Sequence, residues 1–135
     1  MTSKTKPLIA IVDDDESVCR ALHRLVRSMG MNVQTFPSGL AFLELFEALP
    51  SFQPDCVVLD MQMPGLNGLE VQNRLRLSHR QVPIIIITAH DQLGTRERAI
   101  AAGAVAYLRK PFNDAAFSQV LRVALGLGPE DEEET

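Results

Sequence analysis

Five short runs of aliphatic residues divide the chain at regular intervals. Three of them, 8–12, 56–59 and 84–87, are almost uninterrupted, and shorter runs lie at Val33–Phe36 and Val105–Leu108. Continuous apolar runs of this length are typical of parallel strands that are buried on both faces of a sheet. The pattern therefore predicts five strands, of which the three long runs form the buried centre.

Segments with helical periodicity follow each of these runs. Their apolar side chains recur every three or four residues and so share one face of a helix. Ser38 and Asn113 are suited to N-caps, and Gly30 and Gly103 to C-terminal stops. The predicted apolar faces and helical spans are Val18, Leu22, Leu25, Val26 and Met29; Phe42, Leu45, Phe46 and Leu49; Leu69–Leu77; Thr95–Ala102; and Phe117, Val120, Leu121, Ala124 and Leu125.

The alternation of strand and helix, repeated five times, favours an α/β fold with a parallel sheet and helices on both faces. Because crossovers are right-handed, the simplest arrangement is the flavodoxin-like doubly wound (βα)5 fold with strand order 2-1-3-4-5. That order places strand 1 beside strand 3. Ligands of such sheets bind in the crevice at this point, outside the carboxyl ends of the strands.

Length and composition are those of one globular domain. The chain has 135 residues, 46% of them hydrophobic, and a net charge of −4. We divide it into an N-terminal arm (1–7), a domain (8–126) and an acidic tail or linker (127–135). The acidic balance gives no basic surface for nucleic acid or anionic membranes. No apolar stretch approaches the roughly 20 residues of a membrane span, and no signal peptide core is present. Cys19 and Cys56 are expected to be buried free thiols, which favours a cytoplasmic location.

Reactive side chains follow four of the predicted strands. Asp13 and Asp14 come after the first strand, Asp60 after the third, Thr88 after the fourth and Lys110 just beyond the fifth. Three carboxylates in one crevice repel each other unless a cation neutralises them, and oxygen ligands favour Mg²⁺ over zinc. An aspartate can become an aspartyl-phosphate, while an amine and a hydroxyl can stabilise phosphoryl oxygens. The set therefore predicts phosphoryl transfer.

Four segments carry a family resemblance. IVDDD (11–15), VVLDMQMPGLNG (57–68), IIIITA (84–89) and YLRKPF (107–112) resemble the receiver domain of two-component response regulators. The resemblance runs in register from about Leu8 to Leu125. The D-x-x-M-P-x-x-x-G pattern is highly specific in combination with the earlier aspartates and the later threonine and lysine. It identifies the chain as a receiver by resemblance.

The resemblance implies a phosphoacceptor and a metal site. Asp60 would accept a phosphoryl group from a phosphohistidine of a sensor histidine kinase or phosphotransfer protein. Asp14, Asp60 and the backbone carbonyl of Gln62 would bind Mg²⁺ (or Mn²⁺), with Asp13 acting through water. The chain would not be an enzyme with a separate substrate, because it would catalyse only its own phosphorylation and dephosphorylation.

The resemblance also implies how the phosphoryl group is held. Thr88, Ala89 and Lys110 would bind it, and Lys110 would pair with Asp60 beforehand. The Lys110–Pro111 peptide bond would be cis, since this bond is typically cis in receivers.

Tyr107 matches the switch aromatic of the family. As Thr88 moves toward the phosphoryl group, Tyr107 would pass from exposed to buried rotamers and change the surface of helix 4, strand 5 and helix 5. That surface would form a homodimer, or contact a downstream protein or an appended effector domain. Taken alone, Tyr107 would more often be a half-buried core ring, and only its spacing from Lys110 supports a switch role.

Two questions stay open at this level. Gln62 and His90 lie two residues beyond Asp60 and Thr88, where they either tune the phosphoryl lifetime or play no part. The function also has alternatives: a receiver-like interaction module that does not use phosphate, or an aspartate-nucleophile phosphohydrolase of the haloacid-dehalogenase type. The second is disfavoured because Gln62 stands where such enzymes have an acid.

Overall fold

Residues 6–127 are described by a computed structural model, so most of the predicted arm and of the acidic tail lie outside the described residues. Strands and helices alternate through this part of the chain, as predicted. The strands are β1 (Leu8–Val12), β2 (Asn32–Phe36), β3 (Cys56–Asp60), β4 (Ile84–Thr88) and β5 (Ala106–Arg109). The helices are α1 (Glu16–Ser28), α2 (Gly39–Ala48), α3 (Gly68–Arg76), α4 (Thr95–Ala101) and α5 (Asp114–Ala124).

The strands form one parallel sheet of order β2-β1-β3-β4-β5, which confirms the predicted flavodoxin-like topology. Its register aligns the carboxyl ends. Val12 of β1 is paired with Leu59 of β3, so Asp13 and Asp60 are next to one another at the end of the sheet. Asp60 is paired with Ile87 of β4, which directly precedes Thr88.

Two apolar layers sandwich the sheet. Successive residues of a strand point to opposite faces: Ala10 and Val12 pack on the side of α2 and α3, whereas Ile9 and Ile11 pack on the side of α1 and α5. The first layer contains an aromatic group in which Phe42 stacks on Phe46 and meets Phe36 edge-on. These layers fix the strands, and therefore the residues that follow them.

Local signals predicted several of the helix ends. Ser38 Oγ accepts a hydrogen bond from Ala41 N–H at 3.0 Å, and Asn113 Oδ1 accepts one from Ala116 N–H at 2.7 Å, so both predicted N-caps are present. Gly30 has φ +86° directly after the C-cap of α1. Only a residue with little steric hindrance adopts this conformation readily, which explains the stop.

Several predictions about burial or bounds were wrong in detail, including the ends of α3 and α4, which each stop one residue earlier than predicted. Leu49 is 46% exposed because α2 ends at Ala48 and Leu49 is its extended C-cap. Val105 is also exposed, and β5 begins one residue later than predicted. Cys56 is buried as expected, but Cys19 is only half-buried because it lies on the edge of the apolar face of α1. Across residues 6–127, none of the helices has the length and hydropathy that crossing a membrane requires.

Candidate functional site

Three carboxylates meet at the carboxyl end of the sheet. One oxygen each from Asp13, Asp14 and Asp60 lies within 4.8 Å of the other two. Asp13 and Asp60 are 1% and 3% exposed, whereas Asp14 is open to solvent. The structure therefore brings together the three acids that the sequence placed in one crevice, and the cluster has one solvent-facing side through which a ligand can approach.

Lys110 is the counter-charge of this cluster. Its Nζ donates to Asp13 Oδ2 at 2.8 Å and lies 3.5 Å from Asp60 Oδ1. The ammonium is thus shared between the two buried acids, with its shorter contact to Asp13 and not to Asp60. The following peptide bond, Lys110–Pro111, is cis, which is the geometry that the resemblance implies.

Burial and mutual repulsion set the electrostatics of the acids. Burial, followed by the charge of Asp13, raises the pKa of Asp60 to about 6, although Lys110 and the Gln62 backbone N–H act in the opposite direction. Burial disfavours the charged form of Lys110, but its hydrogen bond to Asp13 and the nearby Asp60 charge raise the pKa of Lys110 overall. The site therefore holds more negative charge than its one lysine balances.

The cluster fits a hard divalent cation. Its three ligand groups are all carboxylates, and excess negative charge is the condition under which a cation stabilises such a group. Mg²⁺ binds through one or two carboxylates and keeps several waters, which suits a cluster with one side exposed. The donor set therefore agrees with Mg²⁺ and not with a zinc site built from histidine or cysteine.

Thr88 ends β4 beside this cluster. Its side chain is fully buried, and its Oγ1 accepts a hydrogen bond from His90 N–H at 3.0 Å and contacts the His90 carbonyl oxygen at 3.3 Å. The hydroxyl is thus turned onto the loop that follows β4. Ala89, the next residue, is exposed to solvent.

Comparison with known sequences identifies the family. The model of the Response regulator receiver domain matches residues 9–122. The chain belongs to this family. It is a receiver domain of the kind that operates in two-component regulatory systems and signal transduction.

Relatives of this receiver include full-length response regulators. Response regulator protein TmoT of Ectopseudomonas mendocina is 40% identical over 126 residues, which are 93% of this chain and 56% of TmoT. Response regulator protein TodT of Pseudomonas putida is 39% identical over 123 residues, 91% of this chain and 53% of TodT. The chain thus spans about half the length of the curated relatives it matches.

Solved receivers share the fold throughout. A response regulator receiver protein from Burkholderia phymatum is 55% identical with a TM-score of 0.81, and the match covers 91% of this chain and 98% of that one. The response regulator StyR is 40% identical with a TM-score of 0.80, and the match covers 92% of this chain and 61% of StyR.

Tyr107, which the resemblance assigns as the switch aromatic, is buried. Tyr107 is 7% exposed, and its hydroxyl donates to Asp91 Oδ1 at 2.7 Å. The other oxygen of Asp91 pairs with Arg109 Nε at 3.2 Å. The ring therefore occupies the buried position that the resemblance assigns to the switched rotamer. Sequence reasoning missed Asp91, because nothing in the linear pattern pairs this loop residue with a strand residue 16 positions away.

The two residues considered for lifetime tuning flank the site of the receiver. Gln62 and His90 both have exposed side chains, and their backbone N–H groups donate to Asp60 Oδ1 at 3.4 Å and Thr88 Oγ1 at 3.0 Å respectively. Their backbones are thus part of the site, while their side chains are exposed to solvent.

Gly68 packs closely against the backbone of Asp60 and Met61. A Cβ at this position would lie 2.7 Å from the Asp60 carbonyl oxygen and 2.8 Å from Met61 Cα. Gly68 is the first residue of α3, and the close approach of the backbone is what requires glycine at this position. Gly65, by contrast, has φ +77°, so its backbone conformation is what favours glycine there.

Proposed function

We propose that this receiver accepts a phosphoryl group on Asp60 from a phosphohistidine. The observation that carries the proposal is the buried cluster of Asp13 and Asp60 with the shared ammonium of Lys110, open to solvent on the Asp14 side. Phosphoryl transfer needs little beyond positioning and charge stabilisation, and this cluster offers both. A sensor histidine kinase or phosphotransfer protein would be the donor.

The transfer is a substitution at phosphorus. A carboxylate oxygen of Asp60 forms the new P–O bond as the P–N bond to the donor histidine breaks, and the electron pair of that bond returns to the imidazole. Asp60 must be ionised to attack. Its pKa of about 6 lies above the ordinary value for an aspartate and still leaves it mostly ionised at neutral pH.

Magnesium would be held by Asp14, Asp60 and the backbone carbonyl of Gln62. Bound there, a divalent cation supplies positive charge between the carboxylates and the phosphoryl oxygens. Asp13 is suited to an indirect role through water, because both of its oxygens already accept hydrogen bonds: Oδ1 from Asp15 N–H at 2.9 Å and Oδ2 from Lys110 at 2.8 Å.

Lys110, Thr88 and Ala89 would receive the phosphoryl oxygens. Lys110 needs only to exchange its contact with Asp13 for one with a phosphoryl oxygen on the neighbouring Asp60. Thr88 must release the His90 backbone before its hydroxyl can donate to the phosphoryl group. These two movements would couple phosphorylation to the ends of β4 and β5. Gln62 and His90, at the mouth of the site, would influence how fast water removes the phosphoryl group.

The output would be read from the face of α4, β5 and α5. Exposed apolar side chains lie on these elements, Ile100 on α4, Val105 directly before β5 and Val123 on α5. A homodimer, a downstream protein or an appended effector domain would dock there after phosphorylation. Sedimentation with and without beryllofluoride, a phosphoryl mimic, tests the homodimer, and an unchanged monomer would count against it.

Labelling by acetyl phosphate tests the acceptor directly. We expect the native chain to gain one phosphoryl group by mass in the presence of Mg²⁺, and to lose this reactivity in EDTA or as Asp60→Asn. Asp55→Asn is the matched control, because Asp55 lies at the opposite end of β3, where it accepts a hydrogen bond from Leu8 N–H. A native chain that stays unlabelled would contradict the proposal and favour an interaction module that does not use phosphate. Steady turnover of a small phosphoester without a phosphorylated chain would favour the hydrolase.

A further inference from the structure

Asp91, in the loop after β4, contacts two side chains of the neighbouring strand β5. One of its carboxylate oxygens accepts the hydrogen bond from the Tyr107 hydroxyl at 2.7 Å, and the other pairs with Arg109 Nε at 3.2 Å. Tyr107 and Arg109 lie on the same side of β5, two residues apart. A single carboxylate from the loop after β4 therefore holds two neighbouring side chains of β5.

A short series of hydrogen bonds leads from Thr88 to Asp91. The Thr88 hydroxyl is bonded to the backbone of His90, and the His90 carbonyl accepts Gln92 N–H at 3.1 Å. Asp91 lies between these two bonded residues, so its position depends on the turn that they form. Movement of the Thr88 hydroxyl would break the first bond of this turn and displace Asp91.

We propose that Asp91 is the positioning residue of the switch: its carboxylate holds Tyr107 in the buried position and transmits movement of Thr88 to β5. The inference rests on the proposed phosphoryl function, because phosphorylation is what would move Thr88. The hydrogen bond between Asp91 and Tyr107 does not depend on that function. Tyr107 does not touch the reacting atoms, and neither does Asp91. Their role is to convert a change at the end of β4 into a change on the output face.

The charges around the hydroxyl agree with this arrangement. Burial, and then the hydrogen bond and charge of Asp91, raise the pKa of Tyr107 to about 12, while Arg109 and Arg96 oppose the shift. The guanidinium of Arg96, from α4, lies 5.7 Å from the centre of the Tyr107 ring. The ring is thus held between Arg96 of α4 and Asp91 of the loop before it.

The experiment uses the one tyrosine of the chain. Because the sequence has Tyr 1 and Trp 0, ultraviolet absorption and emission of tyrosine report Tyr107 alone. We would compare the native chain with Asp91→Ala, which removes the acceptor, and with Asp91→Asn, which keeps an acceptor oxygen. Glu97→Gln is the matched control, since it removes one negative charge from the first turn of α4 and no hydrogen bond between Glu97 and Tyr107 occurs within residues 6–127.

In Asp91→Ala we expect the phenol to ionise about tenfold more readily, as loss of one charge-assisted hydrogen bond implies. Acrylamide should then quench its emission more strongly, because the ring becomes more accessible. Asp91→Asn should restore resistance to acrylamide. Beryllofluoride with Mg²⁺ should change Tyr107 emission in the native chain and in Glu97→Gln, but much less in Asp91→Ala, while acetyl phosphate still labels all three.

Two results would overturn the inference. If Asp91→Ala ionises and is quenched like Glu97→Gln, the carboxylate does not hold the ring. If Asp91→Ala differs from Glu97→Gln in ionisation and quenching, but its Tyr107 emission responds to beryllofluoride as that of the native chain does, Asp91 does not transmit the movement of Thr88. A native chain that acetyl phosphate fails to label contradicts the proposed function instead, and the ionisation and quenching measurements, made without any phosphoryl donor, still decide whether the contact exists.

Discussion

Lys110 contacts Asp13 more closely than it contacts Asp60: its Nζ lies 2.8 Å from Asp13 Oδ2 and 3.5 Å from Asp60 Oδ1. The residue proposed to receive the phosphoryl group is therefore not the main partner of the only ammonium in the cluster. At Asp60, burial and the charge of Asp13 outweigh the effect of Lys110, and the pKa of Asp60 is raised to about 6. The two contacts of Lys110 hold it next to the position that a phosphoryl group on Asp60 would occupy.

The first prediction concerns the loss of this ammonium. Lys110→Met should lower the free energy of unfolding by about 3 kcal/mol in magnesium-free buffer, because removing one partner of a buried pair leaves a buried charge uncompensated. The side chain of Asp13 is fully buried and that of Lys110 is 16% exposed, so solvent screens the pair only weakly. Urea unfolding near neutral pH measures the difference.

Arg74→Met is the control for Lys110→Met. It removes an ion pair with Glu47 of the same 2.8 Å length, but both of these side chains are nearly half exposed. Exposed pairs contribute about 0.2–1 kcal/mol, so this variant should lose far less stability. Equal losses in the two variants would show that Lys110 does not act as the counter-charge of a buried cluster.

The second prediction concerns the cation. Mg²⁺ at about ten times its Kd should stabilise the native chain by about 1.4 kcal/mol, since a ligand that binds only the folded state adds this much free energy. EDTA should reverse the effect, and sodium chloride of equal ionic strength should not reproduce it. Asp14→Asn should abolish it, because Asp14 is the acid of the cluster on the solvent side. Stabilisation of Asp14→Asn equal to that of the native chain would place the cation elsewhere.

The sequence was sufficient for the sheet and for the convergence of the acids. Continuous apolar runs determine which strands are central, and parallel order then places Asp13, Asp60 and Thr88 at one edge whatever the side-chain details. Neither inference needs atomic positions. For the same reason, both were confirmed although the bounds of β5 and the last residue of α2 were wrong by one position.

Individual side-chain partners could not be predicted in this way. The choice of Asp13 over Asp60 by Lys110 depends on differences of less than an ångström between two acids on adjacent strands. The bond between Asp91 and Tyr107 depends on the path of a loop, which hydrophobic periodicity does not encode. The need for glycine at position 68 arises from the packing of α3 against the end of β3.

The third prediction concerns that glycine. Gly68→Ala should lower the free energy of unfolding by about 1–3 kcal/mol, the usual cost of forcing an extra group into a packed site. The atoms in its way belong to the backbone of Asp60 and Met61, so the strand end must move. We therefore also expect weaker Mg²⁺ binding, measured by calorimetry.

Gly103→Ala separates this effect from general loss of stability. Gly103 has φ +107° with no atom within 4 Å of an added Cβ, so alanine there is strained but displaces nothing. It should lower stability while leaving Mg²⁺ affinity unchanged. If both variants bind Mg²⁺ like the native chain, the close approach of α3 does not position the acceptor.

The fourth prediction is that the proposed acceptor destabilises the fold. The pKa of Asp60 is raised to about 6 in the folded chain, against about 3.9 for an exposed aspartate. Between these two values the folded state binds more protons than the unfolded state, so the contribution of Asp60 to stability falls as pH rises from about 4 to about 6. Above this range the charge of Asp60 lowers the free energy of unfolding by about 3 kcal/mol, since one pKa unit corresponds to about 1.4 kcal/mol.

Asp60→Asn should remove this cost. In magnesium-free buffer the variant should be more stable than the native chain by up to about 3 kcal/mol above pH 6, and the advantage should disappear below about pH 4, where Asp60 is protonated in both states. The bond of Lys110 to Asp13 stays in place and limits other changes. Urea unfolding across this pH range measures the difference, with Glu44→Gln on the exposed face of α2 as the control. A constant difference at all pH values would mean that the charge of Asp60 is not its source. Saturating Mg²⁺ should reduce the stability difference between Asp60→Asn and the native chain at neutral pH, because the cation stabilises only the chain that retains the carboxylate. The negative charge of Asp60 that destabilises the metal-free fold is therefore the charge that would bind the cation and carry the phosphoryl group.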